Sequence, residues 1–367
     1  MTFPKLKIGD LIADIPIIQG GMGIGVSLSR LASSVAGEGG IGVIATAGIG
    51  ALSMNADVGY VEASINVLRE EIRKAKEATR GILGVNIMVA LTNFADMVET
   101  SIAEGIDLIL SGAGLPLDLP KYLKDGVKTK LVPIVSSAKA ARIICKRWWS
   151  RYEKLPDAFV VEGPLAGGHL GFSSEQLNDP AYALERIIPE VVEAVRSFEE
   201  EHGVKIPVIA AGGIFSGADI LKYLKLGASG VQMGTRFVAT HECDADERFK
   251  QCYVDSKPED LMIIDSPVGM PGRAIKNDFI QSIQDGRKKP FKCPYHCITS
   301  CNCTDSPYCI ALALTNAKKG NMKSGFAFAG QNAHMVDKIV SVKALVESLE
   351  QEFDKAVQDE GPLSRTE

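Results

Sequence analysis

Gly167-Gly168-His169 follows the apolar run Ala158 to Val161 closely enough to put an imidazole just beyond the carboxyl end of a strand. In an α/β barrel the chemistry sits at that end. The two glycines lack the Cβ atoms that keep a planar ligand away from the backbone, and a histidine can donate, accept or change charge near neutral pH. Taken alone, the tripeptide is more often a glycine turn beside a structural histidine. Its surroundings make it a site.

A second pair of turns supplies that context. Ala210-Ala211-Gly212-Gly213-Ile214 ends one apolar run, and Gln232-Met233-Gly234-Thr235-Arg236 ends the next, one βαβ unit further on. Backbone N–H groups exposed at such turns hold phosphates, glycine permits the close approach, and Thr235 adds a hydroxyl. Two glycine turns without a ligand are the alternative.

The third cluster is sulfur. Of the eight cysteines, Cys293, Cys297, Cys301, Cys303 and Cys309 fall in one short stretch with the spacing C-x3-C-x3-C-x-C-x5-C. Several thiolates brought round a small volume suit an iron–sulfur cluster or tetrahedral zinc, although the spacing matches neither a common zinc ribbon nor the usual ferredoxin run. Reduced structural thiols are the alternative, and disulfides are disfavoured in a chain that shows no secretion signal.

These groups need a scaffold, and the hydrophobic pattern describes one. Short β-rich runs at Ile15 to Gln19, Ile41 to Ala45, Ile82 to Met88, Leu108 to Ser111, Leu131 to Ser136, Ala158 to Glu162, Val208 to Ala211 and Gly230 to Met233 alternate with amphipathic stretches. The latter predict helices at Leu28 to Ala36, Val67 to Ala78, Phe94 to Glu104, Ala138 to Tyr152, Ala181 to Glu200 and Ala218 to Lys225. Alternation of this kind points to a parallel sheet flanked by helices. Eight strands suit an α/β fold of the TIM (β/α)8 barrel type, with an open doubly wound sheet as the alternative. Gly20-Gly21-Met22-Gly23-Ile24-Gly25 lacks the spacing and the downstream acidic residue of a dinucleotide fingerprint.

The alternation stops near Ile263. We therefore expect a barrel over residues 1–260 and a helical, cysteine-rich C-terminal appendage over 261–367, ending in a helix around Val336 to Phe353. Composition agrees with a large buried core: 367 residues are 46% hydrophobic and 23% charged. A net charge of −5 without long single-sign runs gives no sign of nucleic-acid binding. No run reaches the roughly 18–20 apolar residues needed to cross a bilayer, and Met1 to Pro16 lacks the core of a signal peptide. The expectation is a soluble, cytoplasmic protein.

Taken together, Gln19-Gly20-Gly21-Met22, Gly84-Val85-Asn86, Glu162-Gly163 leading to Gly167-Gly168-His169, Ala211-Gly212-Gly213-Ile214 and Gln232-Met233-Gly234-Thr235-Arg236 resemble the nitronate monooxygenase family over about residues 10–280. This family, formerly called 2-nitropropane dioxygenase, includes the flavin-dependent enoyl-ACP reductases. The resemblance implies an FMN barrel enzyme in which Gly21, Met22, Asn86, Ser136, Gly163, Gly167, Gly168, Gly212, Gly213, Gln232, Gly234 and Thr235 hold the cofactor and His169 stands near a small-molecule substrate. Many members carry glutamine where this chain has Glu162, and a carboxylate there alters hydrogen bonding near the flavin. The reaction implied first is oxidation of an alkyl nitronate to a carbonyl compound and nitrite with oxygen. The alternative is NAD(P)H-dependent reduction of an enoyl thioester, for which an iron–sulfur cluster would be an apt electron partner. A non-catalytic flavin-binding or electron-transfer protein stands apart from both.

Among the other singular residues, Trp148-Trp149 reads as one ring packed inward and one facing a partner chain, which makes a homodimer the expected assembly if any. His202, His241, His296 and His334 read as surface or structural, the last within a loop placed to cover the site mouth. Arg273 reads either as a ligand of phosphate or acidic substrate or as half of a structural ion pair.

Overall fold

The computed structural model describes residues 3–55, 57–287, 292–361 and 363. A short antiparallel hairpin, β1 (Leu6–Ile8) with β2 (Leu11–Ala13), precedes the main sheet. The sheet uses β3 (Ile17–Gln19), β4 (Ile41–Ala45), β5 (Ile82–Met88), β6 (Leu108–Gly112), β7 (Lys130–Val135) and β8 (Phe159–Glu162). The two-residue β9 (Gly168–His169) lies outside it, and β10 (Val208–Ala211) and β11 (Gly230–Met233) complete it. Every pairing is parallel, in the order β10-β11-β3-β4-β5-β6-β7-β8, and β8 pairs back onto β10. The sheet is a closed (β/α)8 barrel, as the alternating pattern leads one to expect.

Helices α1 (Ser29–Gly37), α2 (Tyr60–Ala78), α3 (Phe94–Ala103), α4 (Ala138–Tyr152), α5 (Leu184–His202) and α6 (Gly217–Lys225) form the outer layer, followed by the short α7 (Thr235–Val238) and α8 (Glu247–Val254). Capping marks some of these boundaries: Ser137 accepts from the Ala140 amide, and Ser216 with Asp219 forms a reciprocal capping box. α2 starts at Tyr60 rather than Val67. Its first turns carry no strong apolar stripe, but Tyr60, Ala63 and Ser64 are buried, and Gly50 has no room for a Cβ beside Ser64.

The period of two along each strand sorts side chains between two cores. Ile41, Val43, Leu108, Leu110, Val132, Val160 and Ile209 fill the barrel interior together with Leu6, Ile8 and Ala13, so the hairpin plugs the amino-terminal end. Ile44, Val85, Ile109, Leu131, Val161 and Val231 face the helices. Each such buried aliphatic side chain contributes about 1.5–3 kcal/mol. Two residues past the last interior positions, the same face carries Asn86, Ser136, Glu162 and Gln232 at the carboxyl rim. Alternation thus delivers polar groups to the mouth.

The chain beyond the barrel continues with β12 (Leu261–Asp265), β13 (Pro271–Ile275), α9 (Asp278–Gln284), α10 (Ile310–Lys318) and α11 (Val342–Glu360). β12, β13 and β9 form a small antiparallel sheet over the rim. The terminal helix begins at Val342 rather than Val336. Residues before it are engaged elsewhere: Val340 bridges to Thr240, the His241 amide donates to Val340 O, and Ser341 then caps the helix through the Ala344 amide. Among the described residues no helix is long and apolar enough to cross a membrane.

Candidate active site

A cavity of about 510 Å³ opens at the carboxyl rim. Its floor includes Asn86, Ser136 and Gln232, which the strand alternation points inward. One wall is the turn of Gly21 and Met22, another that of Gly167, Gly168 and His169, and a third that of Gly212, Gly213, Gly234 and Thr235. Gly163 stands apart from the lining. A Cβ there would lie 2.8 Å from Leu184 Cβ, so this glycine lets α5 approach the barrel.

His169 is held by residues from the far end of the chain. β13 pairs antiparallel with β9 in the register Gly272↔His169 and Arg273↔Gly168, and the Leu170 amide donates to Pro271 O. Gly168 takes a φ of 80°, a left-handed conformation that L side chains rarely adopt. A Cβ on Gly167 would stand 2.5 Å from the carbonyl carbon of Ala329. The imidazole Nε2 lies 2.7 Å from Ser266 Oγ, and the ring packs edge-on against Phe328 with centroids 5.0 Å apart. Burial lowers its pKa to about 4, so the imidazole is neutral near pH 7.

Arg273 makes its hydrogen bonds to main-chain carbonyls. Its buried Nη1 donates to Pro164 O and Ala166 O at 2.7 and 2.6 Å, which ties down the loop leading to Gly167. The 330s loop does reach the mouth. Gly330 N donates to Thr235 Oγ1, Asn332 Nδ2 donates to Gly213 O, and both residues line the cavity.

Two neighbouring polar groups in the cavity stand out. Glu162 and Gln232 flank Ala211 in register on β8, β10 and β11. Gln232 Oε1 is buried without a hydrogen-bond partner. Glu162 is pushed up to about pH 7 by burial, so its carboxyl still carries a proton close to neutrality. A polar atom as buried as Gln232 Oε1 ordinarily finds a partner, and one left open inside a cavity suits a ligand site.

All eight cysteines are free. Among the described residues, no three His, Cys, Asp and Glu side chains are gathered as a ready metal-binding group. Cys297 nevertheless lines the cavity, while Cys145 and Cys243 are buried in the core. The tryptophans divide by face: Trp148 is fully buried and donates to Pro116 O, and the half-exposed Trp149 stacks on His202 at 3.9 Å. Reading from sequence missed Ser266, Phe328 and Asn332 as site residues. Only the Ser266-Pro267 turn signal and the glycine of Gly330-Gln331-Asn332 hinted at them.

The family model for nitronate monooxygenase matches residues 5–352. The chain belongs to the nitronate monooxygenase family. Among curated family relatives, the Mycobacterium tuberculosis (3aS,4S,5R,7aS)-5-hydroxy-7a-methyl-1-oxo-octahydro-1H-indene-4-carboxyl-CoA dehydrogenase is 30% identical over 273 residues, 74% of this chain and 66% of that protein. The match thus spans just under two thirds of that relative. A probable nitronate monooxygenase of Staphylococcus aureus strain Newman is 30% identical over 305 residues, covering 74% of this chain and 78% of its own. Among solved structures, FabK from Thermotoga maritima superimposes with a TM-score of 0.72 at 28% identity, covering 95% of each chain.

Proposed function

We propose that this member of the nitronate monooxygenase family binds FMN in the rim cavity and reduces the carbon–carbon double bond of an enoyl thioester with electrons from NAD(P)H. In this reading residues 1–260 carry the cofactor and 261–367 cover it. The residues suit the group. The orphaned Gln232 Oε1 can accept from a ring N–H of the flavin, the glycine turns leave room for its plane, and Gly213, Gly234 and Thr235 would hold its phosphate. When bound, FMN supplies a ring that accepts a hydride from the nicotinamide and gives it up to an acceptor.

The observation that carries the reading is the protonation state of the two titratable groups. Saturating an enoyl thioester needs a hydride at the β-carbon and a proton at the α-carbon. Glu162 holds a proton in the cavity up to about pH 7, close to the value that suits a general acid at neutrality. His169, held neutral and bonded to Ser266, can orient a neutral thioester carbonyl by hydrogen bonding. The carboxyl-CoA dehydrogenase name of the mycobacterial relative supports a CoA thioester as the kind of substrate.

Oxidation of an alkyl nitronate is the second reading, supported by the staphylococcal relative's name. That substrate is an anion. Among the described residues the cavity lining contains no lysine or arginine, and His169 is neutral, so the charge meets no cation. Anaerobic titration of the flavin-loaded protein separates the two. Bleaching by NADH or NADPH followed by recolouring with a short enoyl thioester is the expected result; bleaching by a nitronate alone would overturn it in favour of the second reading. A colourless protein that refuses added FMN would remove both.

A further inference from the structure

We propose that the outer face of α4 is the docking surface for the nucleotide end of a coenzyme A thioester, with Lys139, Arg142 and Lys146 taking its phosphates and Trp149 stacking on its adenine. The inference rests on the enoyl thioester reading and specifies what carries the acyl group.

α4 follows β7, so it starts at the carboxyl rim and runs back along the outside of the barrel. Ser137, its N-cap, and Ala140 in its first turn line the cavity together with the exposed Leu115. The inner face is occupied: Ala138, Ala141, Ile144, Cys145 and Trp148 are buried. Lys139, Arg142, Lys146 and Trp149 are all exposed, and their spacing of i, i+3, i+7 and i+10 places them on one side of the helix. At about 1.5 Å per residue the stripe extends about 15 Å away from the cavity mouth.

Charge sets this stripe apart. In a chain of net charge −5, α4 holds five basic residues and no acidic one. Arg147 and Arg151 each lie 3.3 Å from Asp118. Among the described residues, Lys139, Arg142 and Lys146 make no ion pair, so their charge is open to a ligand. The Trp149 ring rests on His202 with centroids 3.9 Å apart and is still 39% exposed. An open indole beside unpaired cations is the combination that holds a base and its phosphates.

The order along the surface also matches. Leaving the cavity, a coenzyme A thioester presents a pantetheine arm, then a diphosphate, then a ribose phosphate and adenine. Leaving the mouth along α4, the surface presents the apolar Leu115, the three cations and then the indole. A second copy of the chain is a poor occupant, because a two-fold contact would lay these cations against their own copies. An acyl carrier protein shares the negative charge but brings no purine for Trp149.

Steady-state kinetics on the flavin-loaded enzyme test the surface with one enoyl group carried on coenzyme A, on pantetheine, which lacks the nucleotide, and on acyl carrier protein. Arg142→Glu and Lys146→Glu should each raise KM for the CoA thioester about tenfold with kcat held, and Trp149→Ala should raise it severalfold. KM for the pantetheine thioester should stay within about twofold in all three, and added salt should raise the CoA value alone. Equal shifts for both thioesters, or none for the CoA thioester, overturn the proposal; shifts confined to the carrier-protein substrate overturn it in favour of that partner. Calorimetric titration with coenzyme A itself needs no turnover and so separates this surface from the reaction. Binding that is weakened in Arg142→Glu supports the surface even where no thioester is reduced, and absent or unchanged binding overturns it.

Discussion

His169 and Ser266 meet at 2.7 Å although 97 residues separate them in the chain. The contact follows from the antiparallel pairing of β13 with β9, which brings the segment after β12 beside the imidazole. With one ring nitrogen engaged by Ser266, the position and tilt of the ring are set before substrate arrives. Ser266→Ala should lower kcat about tenfold with flavin content unchanged, the scale of one lost orienting hydrogen bond. His169→Ala should lower it about a hundredfold or more. Steady-state kinetics on preparations matched for FMN content measure both, and equal activity in all three proteins would detach the pair from turnover.

Glu162→Gln tests the proton. The carboxyl keeps its proton up to about pH 7, so the wild-type kcat/KM should fall as pH rises through that value. In the glutamine variant this limb should vanish and activity should be lower throughout the range. Stability should change in the opposite sense. A folded-state pKa raised above that of the unfolded chain lowers stability as pH climbs from the ordinary glutamate range to about 7, with no further loss above. The neutral amide escapes that loss, so its Tm should exceed the wild-type value at pH 8 and match it at pH 5.

Arg273 supports the site from behind. Removing its guanidinium strands two carbonyls, Pro164 O and Ala166 O, that it now satisfies inside the protein. Arg273→Ala should cost about 3 kcal/mol in denaturant unfolding. It should also weaken FMN binding, because the freed loop carries Gly167 and Gly168. Unfolding midpoints together with a flavin fluorescence titration test both halves.

Gly21→Ala addresses the cavity floor. The added Cβ would overlap the Asn86 Cβ, an atom fixed by β5 and unable to move aside as a flexible side-chain end could. Overpacking of this sort costs about 1–3 kcal/mol. It should also displace Asn86 from its place in the lining. A lower melting temperature with FMN affinity reduced at least severalfold is the expected outcome, and normal FMN affinity would remove Gly21 from the cofactor site.

Much of this was legible in the chain itself. Short β-rich apolar runs, with amphipathic helical stretches between, located all eight barrel strands to within two residues, because a strand buried on both faces leaves a short dense apolar run. The motifs behind the family resemblance picked out Asn86 and Gln232, which the strands place at the rim, and glycine turns marked most of the cavity. Gly163 shows the limit of that signal. A glycine needed for helix packing and one needed for a ligand are spelled alike.

What the letters determined, then, was local: which runs become strands, which turns can expose backbone amides, and which residues could carry charge or sulfur. Only the tertiary structure decided that residues near 270 and 330 close over the barrel mouth, that Ser266 fixes His169, and that Cys297 and Cys309 pack in one cluster. The reason is physical. Propensity and periodicity act within a few residues, whereas these relationships depend on the strand ladder between β13 and β9, on burial that strips water from Glu162 and His169, and on hydrogen bonds clamping one loop to another far away in sequence.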